Sequence, residues 1–303
     1  MNIVFGPIIS RRFGVSLGVD LSPSKKQCNF DCLYCELKAS RSVESFSDIL
    51  PLDILLDSVK NALKIHKNIN VLTITANGEP TMYPYLKEFI IGIKPYVASN
   101  IKTLILSNGS LFGDKNVSGA LKYFDIVKFS LDSLDEKSYK KIDRIHKSLN
   151  LDSIKDGIRS YAMSRKNMLI CEVLLVKGIN DNESSMRPLA EFLREINVDR
   201  VDLGTIDRPP AYNVESASFE KISEISKLFF DLYVSIPKRK NSELVNLLDL
   251  MEDEILELLK RRPLEIKEIR NIFSKDSINR LESLLKVNKI QTKSIGLIDF
   301  YVV

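Results

Sequence analysis

SLGVDLSPSKKQCNFDCLYC, residues 16–35, is the stretch from which the rest of the chain can be read. Ser16–Leu21 is a short apolar run with β character, and Ser22, Pro23 and Ser24 punctuate its end. Cys28, Cys32 and Cys35 follow with the spacing C-x3-C-x2-C, and Tyr34 stands just before the last thiol. The chain has 4 cysteines in 303 residues, too few for a disulfide framework, and this loop holds all but Cys171. Crowded thiols point to metal or redox chemistry, because thiolates are soft ligands for iron–sulfur clusters and zinc. Structural zinc wants four ligands in a closed tetrahedron. The candidates for a fourth are Cys171, His66 and His146, on a strand, at the end of a helical stretch and after one, and none makes a usual zinc pairing. Three thiolates on a four-iron cluster would leave one iron open to a substrate or cofactor.

Outward from this loop the sequence alternates between two periods. β-branched runs recur at Val71–Ala76, Lys102–Ser107, Ile126–Leu131, Leu169–Val176 and Arg200–Ile206. Helical spacing fills Leu52–Ile65, Tyr85–Ile93, Asn116–Tyr123, Glu136–Ile142, Leu151–Ser164 and Glu183–Ile196. With Ser16–Leu21 these make six βα units, which predict an α/β fold built on a parallel sheet. Six units fall short of the eight of a closed barrel, so an open parallel (β/α)6 barrel is expected over residues 1–237. The composition, 44% apolar and 28% charged, is that of a globular chain able to bury a full core. After Pro237 a polar linker, Lys238–Ser242, leads to amphipathic stretches at Leu244–Leu259, Glu265–Phe273 and Ser277–Val287. Two β-like runs, Lys289–Lys293 and Leu297–Val303, close the chain. Three helices and a hairpin predict a small winged-helix-like domain over residues 238–303.

Several strands carry polar residues at period two: Thr73, Thr75 and Asn77, then Lys128, Ser130 and Asp132, with Glu172 and Asp202 single on apolar runs. Parallel strands covered on both faces normally read as continuous apolar runs, so the polar stripe suggests a face lining a cavity. The alternative is polar strand ends satisfied by loops, which suits Asn77 and Asp202 better than mid-strand Lys128 and Glu172. If Glu172 faces the lumen, Cys171 faces the helices as a small buried hydrophobe. No apolar run approaches the roughly 20 residues of a membrane span and the N-terminus lacks signal-peptide order, so a cytoplasmic protein is expected.

The thiol loop after the first strand, Asn77-Gly78-Glu79-Pro80 after the second and Lys128-Phe129-Ser130-Leu131-Asp132-Ser133 on the fourth appear in the order and places of the radical S-adenosylmethionine (SAM) superfamily. Residues 6–235 resemble that superfamily. The resemblance implies that Cys28, Cys32 and Cys35 hold a [4Fe-4S] cluster whose open iron chelates the amino and carboxylate groups of SAM. Tyr34 would pack near the adenine. Gly78, Glu79 and Pro80 would bind the SAM amino group through carbonyl and carboxylate acceptors. Ser130, supported by Asp132, would reach the ribose or the methionine carboxylate, and Asn108 belongs to the same cavity. A reductant such as flavodoxin or ferredoxin is implied, together with a 5′-deoxyadenosyl radical that takes hydrogen from the substrate. Gly6-Pro7, Ser10-Arg11-Arg12 and Asp207-Arg208-Pro209-Pro210 are similar to a subgroup related to wyosine synthases and molybdenum-cofactor protein A. Both of those enzymes carry further cysteines for a second cluster, and here only Cys171 is left over.

Lys128, Glu172 and Arg208 are the candidate substrate contacts. Arg11, Arg12, Lys128 and Arg208 are expected to form a cationic rim or lumen for an anionic substrate, the alternative being that Arg11 and Arg12 simply pair with carboxylates at the barrel edge. A tRNA or nucleotide is the first reading of the substrate and a peptide the second. A different class of function, a cluster-binding regulator whose winged helix reads DNA, calls for a basic recognition helix. Residues 241–303 hold 10 Lys and Arg against 11 Asp and Glu, net −1, which speaks against DNA. The terminal domain is therefore expected to cover the barrel or to make protein contacts.

Overall fold

In the computed structural model, which describes residues 3–237, 248–296 and 298–303, eight strands form one sheet in chain order. β1 (Val4–Ser10) turns back as an antiparallel hairpin onto β2 (Gly14–Asp20). From β2 onward the sheet is parallel through β3 (Val71–Thr75), β4 (Lys102–Ser107), β5 (Ile126–Ser130), β6 (Met168–Leu175), β7 (Arg200–Thr205) and the two-residue β8 (Val234–Ser235). Between the strands run α1 (Leu52–Ile65), α2 (Leu86–Ile93), α3 (Lys115–Leu121), α4 (Glu136–Asp143), α5 (Leu151–Ser164), α6 (Glu183–Glu195) and α7 (Phe219–Ser226). Asp114, Asp135, Asn150, Asn182 and Ser218 start five of these helices, each accepting backbone N–H groups of the first turn. The six expected parallel strands are all present; β1 and β8 are additions to them.

The period of two divides the strands into two faces. Leu17, Val19, Leu72, Ile74, Ile105, Val127, Phe129, Cys171, Val173, Val201 and Leu203 join the buried core under the helices. The alternate residues, among them Thr73, Lys128, Ser130, Glu172, Asp202 and Gly204, turn to the other face and line the lumen. Cys171 is thus a core residue, as the alternation with Glu172 requires.

Residues 248–303 add α8 (Glu252–Arg261), β9 (Leu264–Glu265), α9 (Ile266–Ile272), α10 (Lys275–Lys286), β10 (Gln291–Ile295) and β11 (Ile298–Val302). The three strands pair antiparallel in the order β10-β11-β9. These elements have a core of their own, including Ile255, Leu258, Leu264, Ile269, Phe273 and Leu281, and Phe5, Ile8 and Ile9 of β1 pack against it. Arg261 reaches Asp20 at 2.9 Å, with both side chains buried, and lies over the Phe5 ring. The terminal segment is therefore seated on the barrel through β1. The helix expected over Leu244–Leu259 starts only at Glu252. Leu248 is extended instead, donating to Ile272 O and accepting from Ser274 N, a tertiary bridge that outweighs the helical periodicity. Residues 244–247 of that stretch and the expected linker lie outside the described residues. Among the described residues no helix is long and apolar enough to cross a membrane.

Candidate active site at the strand C-termini

The thiol loop leaves the C-terminal end of β2 and is pinned at every few residues. Gln27 N donates to Asn77 O at 2.8 Å and Glu79 N donates back to Gln27 O at 3.0 Å, a short ladder between the loop and the turn after β3. The Gln27 amide also holds Ser22, Ser47 and Asp48. Asp31 N and Leu33 N donate to Asp143 O and Ile142 O at the end of α4, and Phe30 packs edge-on against Tyr139 of that helix. Gly78 has φ +135°, and a Cβ there would stand 1.7 Å from Gln27 O, so only glycine lets turn and loop come this close.

Each thiol has a polar neighbour. Phe30 N donates to Cys28 Sγ at 3.4 Å, with Asn108 Nδ2 at 3.9 Å. Lys26 Nζ donates to Cys35 Sγ at 3.4 Å, and Cys32 Sγ donates to Asp143 Oδ1 at 3.5 Å. Burial, and then the nearby Glu79, push the Cys28 thiol up to about 12. Burial and Asp143 push Cys32 well above the usual thiol range. A metal held here must displace those protons, so binding is proton-coupled. Among the described residues no three His, Cys, Asp or Glu side chains converge closely enough to hold one metal ion. A structural zinc would need a fourth ligand beside the three thiols, whereas a four-iron cluster takes three cysteines and spreads them over separate irons.

Glu79 is buried, 2% exposed. Its Oε1 accepts from Thr81 N, Thr81 Oγ1 and Ser107 Oγ, while Oε2 accepts from Asn108 N at 2.7 Å. Burial pushes this carboxyl up and the four hydrogen bonds pull it back. Asn108 in turn donates to Asn29 Oδ1 at 2.7 Å, tying the strand after the turn to the thiol loop. Tyr34 OH donates to Asp132 Oδ2 at 2.5 Å, and Leu174 N donates to Asp132 Oδ1. Asp132 is fully buried, so its link to any ligand runs through Tyr34. Burial raises the Asp132 carboxyl to about 7 against these hydrogen bonds. Asp143, which no motif singles out, lies beside both Asp132 and Cys32, and burial with the Asp132 charge raises it strongly. Its Oδ2, like Asp31 Oδ1, is buried without a hydrogen-bond partner. Ser130 stands at the lumen end of β5, level with Glu172 in the sheet register.

Deeper in the lumen the charges satisfy one another. Lys128 Nζ contacts Glu172 Oε1 at 2.6 Å and Asp202 Oδ2 at 3.1 Å. Arg12, from the β1–β2 turn, contacts the same two carboxylates, and Arg200 adds a third cation on Asp202. Lys128 and Glu172 thus meet as the sequence grouping expects. Arg208, grouped with them, is elsewhere: it pairs with Glu36 at 2.7 Å, just past Cys35. Arg11 pairs with Asp207. Arg11, Arg12 and Arg208 thus each have a carboxylate partner.

Residues 23–204 match the family model described as the radical SAM superfamily. A Helicobacter pylori protein named UPF0026 is 46% identical over 302 residues, which is 99% of this chain and 97% of that one. The GTP 3′,8-cyclase of H. pylori is 32% identical over 162 residues, covering 52% of this chain and 47% of the cyclase. Among solved structures, TYW1 with a lysine–pyruvate adduct bound aligns with a TM-score of 0.52 at 19% identity, over 72% of this chain and 74% of that one. At that identity the likeness speaks for the fold.

Proposed function

We propose, from the premise that this chain belongs to the radical SAM superfamily, that it is a radical SAM enzyme whose lumen takes a nucleotide. When bound, the [4Fe-4S] cluster and SAM supply one-electron reductive cleavage to methionine and a 5′-deoxyadenosyl radical that takes hydrogen from the substrate. Everything else falls to the protein. Cys28, Cys32 and Cys35 would hold the cluster. The carbonyls of the Gly78-Glu79-Pro80 turn, and the remaining lone pair of Glu79 Oε2, accept from the SAM amino group. Asn108, Ser130 and Tyr34 border the same space, with Asp132 fixing the Tyr34 hydroxyl. The observation that carries this reading is the Gln27–Asn77 and Gln27–Glu79 ladder, because it makes the thiol loop and the SAM-binding turn one rigid unit.

A nucleotide is favoured on two grounds. The lumen floor sets Arg12, Lys128 and Arg200 against Glu172 and Asp202, an excess of one positive charge suited to a phosphate-bearing substrate. A relative similar over half the chain is named GTP 3′,8-cyclase. In this reading Lys128 and Glu172 contact the substrate, a flavodoxin- or ferredoxin-like donor delivers the electron in the cytoplasm, and the described residues from Leu248 onward form a winged-helix-like cover. Nothing favours a DNA-reading regulator: Arg261, Arg262 and Arg280 are paired with Asp20, Glu268 and Asp249.

The test is anaerobic reconstitution with iron and sulfide, then SAM and dithionite, with 5′-deoxyadenosine quantified. Formation above a Cys32→Ala control supports cleavage, and stimulation by ribonucleoside triphosphates supports the nucleotide. Cleavage stimulated by peptide and not by nucleotide would replace the substrate assignment.

A further inference from the structure

The segment after β7 is an Ω-type loop with a closed base. Thr205 Oγ1 accepts from Ala217 N at 2.7 Å and donates to Leu175 O, so the chain leaves and returns at one point of the sheet. The tip spans the open side of the barrel, from the last long strand to the thiol loop that follows the first parallel one. It is fastened there at three places. Arg208 pairs with Glu36 at 2.7 Å, Ala211 N donates to Cys35 O at 2.9 Å, and Tyr212 OH donates to Asp31 Oδ2 at 2.7 Å. Arg144 lies over the Tyr212 ring at 4.5 Å and pairs with the same Asp31 at 3.1 Å. The fastened residues are Cys35, its neighbour Glu36, and Asp31, the neighbour of Cys32.

The far side of the loop is backed by the C-terminal segment. Pro209 and Pro210 are buried, and Lys293 Nζ donates to Pro210 O at 3.4 Å. Arg262, paired with Glu268, is close enough to Arg208 for the two guanidinium charges to repel, and burial with that repulsion lowers Arg262 to about 10. A buried proline pair, a closed base and charge-assisted contacts at the tip make a stiff bridge.

We propose that residues 207–215 are a latched strap that joins the two ends of the open barrel across its mouth, holding the thiol loop in register and screening the cluster from water. Arg208 and Tyr212 are its positioning residues, and Lys293 with its hairpin is the buttress. Small solutes reach the cluster at a rate set by the latch. This rests on the cluster assignment made above.

The experiment is iron extraction by a water-soluble phenanthroline chelator from the reconstituted full-length chain, kept anaerobic, with the electron paramagnetic resonance spectrum of the reduced cluster as a second readout. Arg208→Met is expected to lose iron about tenfold faster than the parent, and Tyr212→Phe about threefold faster, each with an altered spectrum. Glu36→Gln combined with Arg208→Met is expected to be no faster than Arg208→Met alone, because both cut one latch. Rates within twofold of the parent, or effects of the two substitutions that multiply, overturn the strap. Tyr212→Phe removes one hydroxyl and keeps the ring over which Arg144 lies, so it decides the matter if Arg208→Met does not fold. A parent chain that takes up no iron would instead remove the functional reading itself.

Discussion

The lumen mouth and the lumen floor are polar interiors of the same barrel, yet they are finished differently. On the floor Lys128, Arg12 and Arg200 enclose Glu172 and Asp202, so each carboxylate has cations beside it, although Arg12 Nε, Arg200 Nε and Asp202 Oδ1 meet as ion pairs and not as hydrogen bonds. At the mouth the thiols hold protons that burial disfavours losing, Glu79 keeps a spare lone pair, and Asp31 and Asp143 each leave a buried oxygen without a partner. Buried polar groups are normally satisfied, so an unfinished set marks a place completed by something other than this chain. The floor presents charges already paired with one another, and the mouth presents carboxyl oxygens with no hydrogen-bond donor on them.

That contrast is most exposed at Cys32. Cys32→Ala is expected to abolish the cluster's visible absorption after reconstitution, with an unchanged far-ultraviolet circular dichroism spectrum; a collapsed spectrum would make the thiol loop part of the folding core. The floor should behave in the opposite way. Lys128→Met removes a buried ammonium from Asp202 and Glu172 while Arg12 and Arg200 remain, a change expected to cost about 1–3 kcal/mol, read as a lower urea midpoint. Unchanged stability would mean the floor is as unfinished as the mouth. Glu79→Ala is expected to weaken SAM binding about tenfold by calorimetry while the cluster absorption stays, since its carboxylate braces the turn and touches no thiol.

The smallest effect is a pH dependence near the strand N-termini. Burial pushes the Asp125 carboxyl up, but hydrogen bonds from Thr103 N and Oγ1 and the Lys94 ammonium outweigh it and hold it below the ordinary value. A depressed carboxyl stabilises the fold fully above its unfolded value, and that stability is lost as pH falls through the folded one. Asp125→Asn should therefore flatten the decline of stability in acid, measured by urea melts from neutral pH downward. An unaltered slope would place the acid sensitivity elsewhere.

Much of this arrangement is legible in the sequence because it is local. The strand Lys102–Ser107 and the helices Leu52–Ile65 and Leu151–Ser164 have the ends that periodicity assigns them. The three thiols, the Gly78-Glu79-Pro80 turn and the inward set Lys128, Ser130 and Glu172 follow from spacing and alternation. β1 escapes because Gly6-Pro7 interrupts its run and its register shifts between Phe5 and Ile8. The residues that complete the mouth escape for another reason. Asp143 meets Cys32 across 111 positions and Tyr212 meets Asp31 across 181, and no local pattern distinguishes either from an ordinary surface residue.

Phe5, Ile8 and Ile9 of β1 pack against residues that begin at Leu248. That apolar strand and its cover are about 240 residues apart along the chain, so a long loop must close before the strand is hidden. A chain cut short before α8 (Glu252–Arg261) would lack that cover and display a sticky edge on β1.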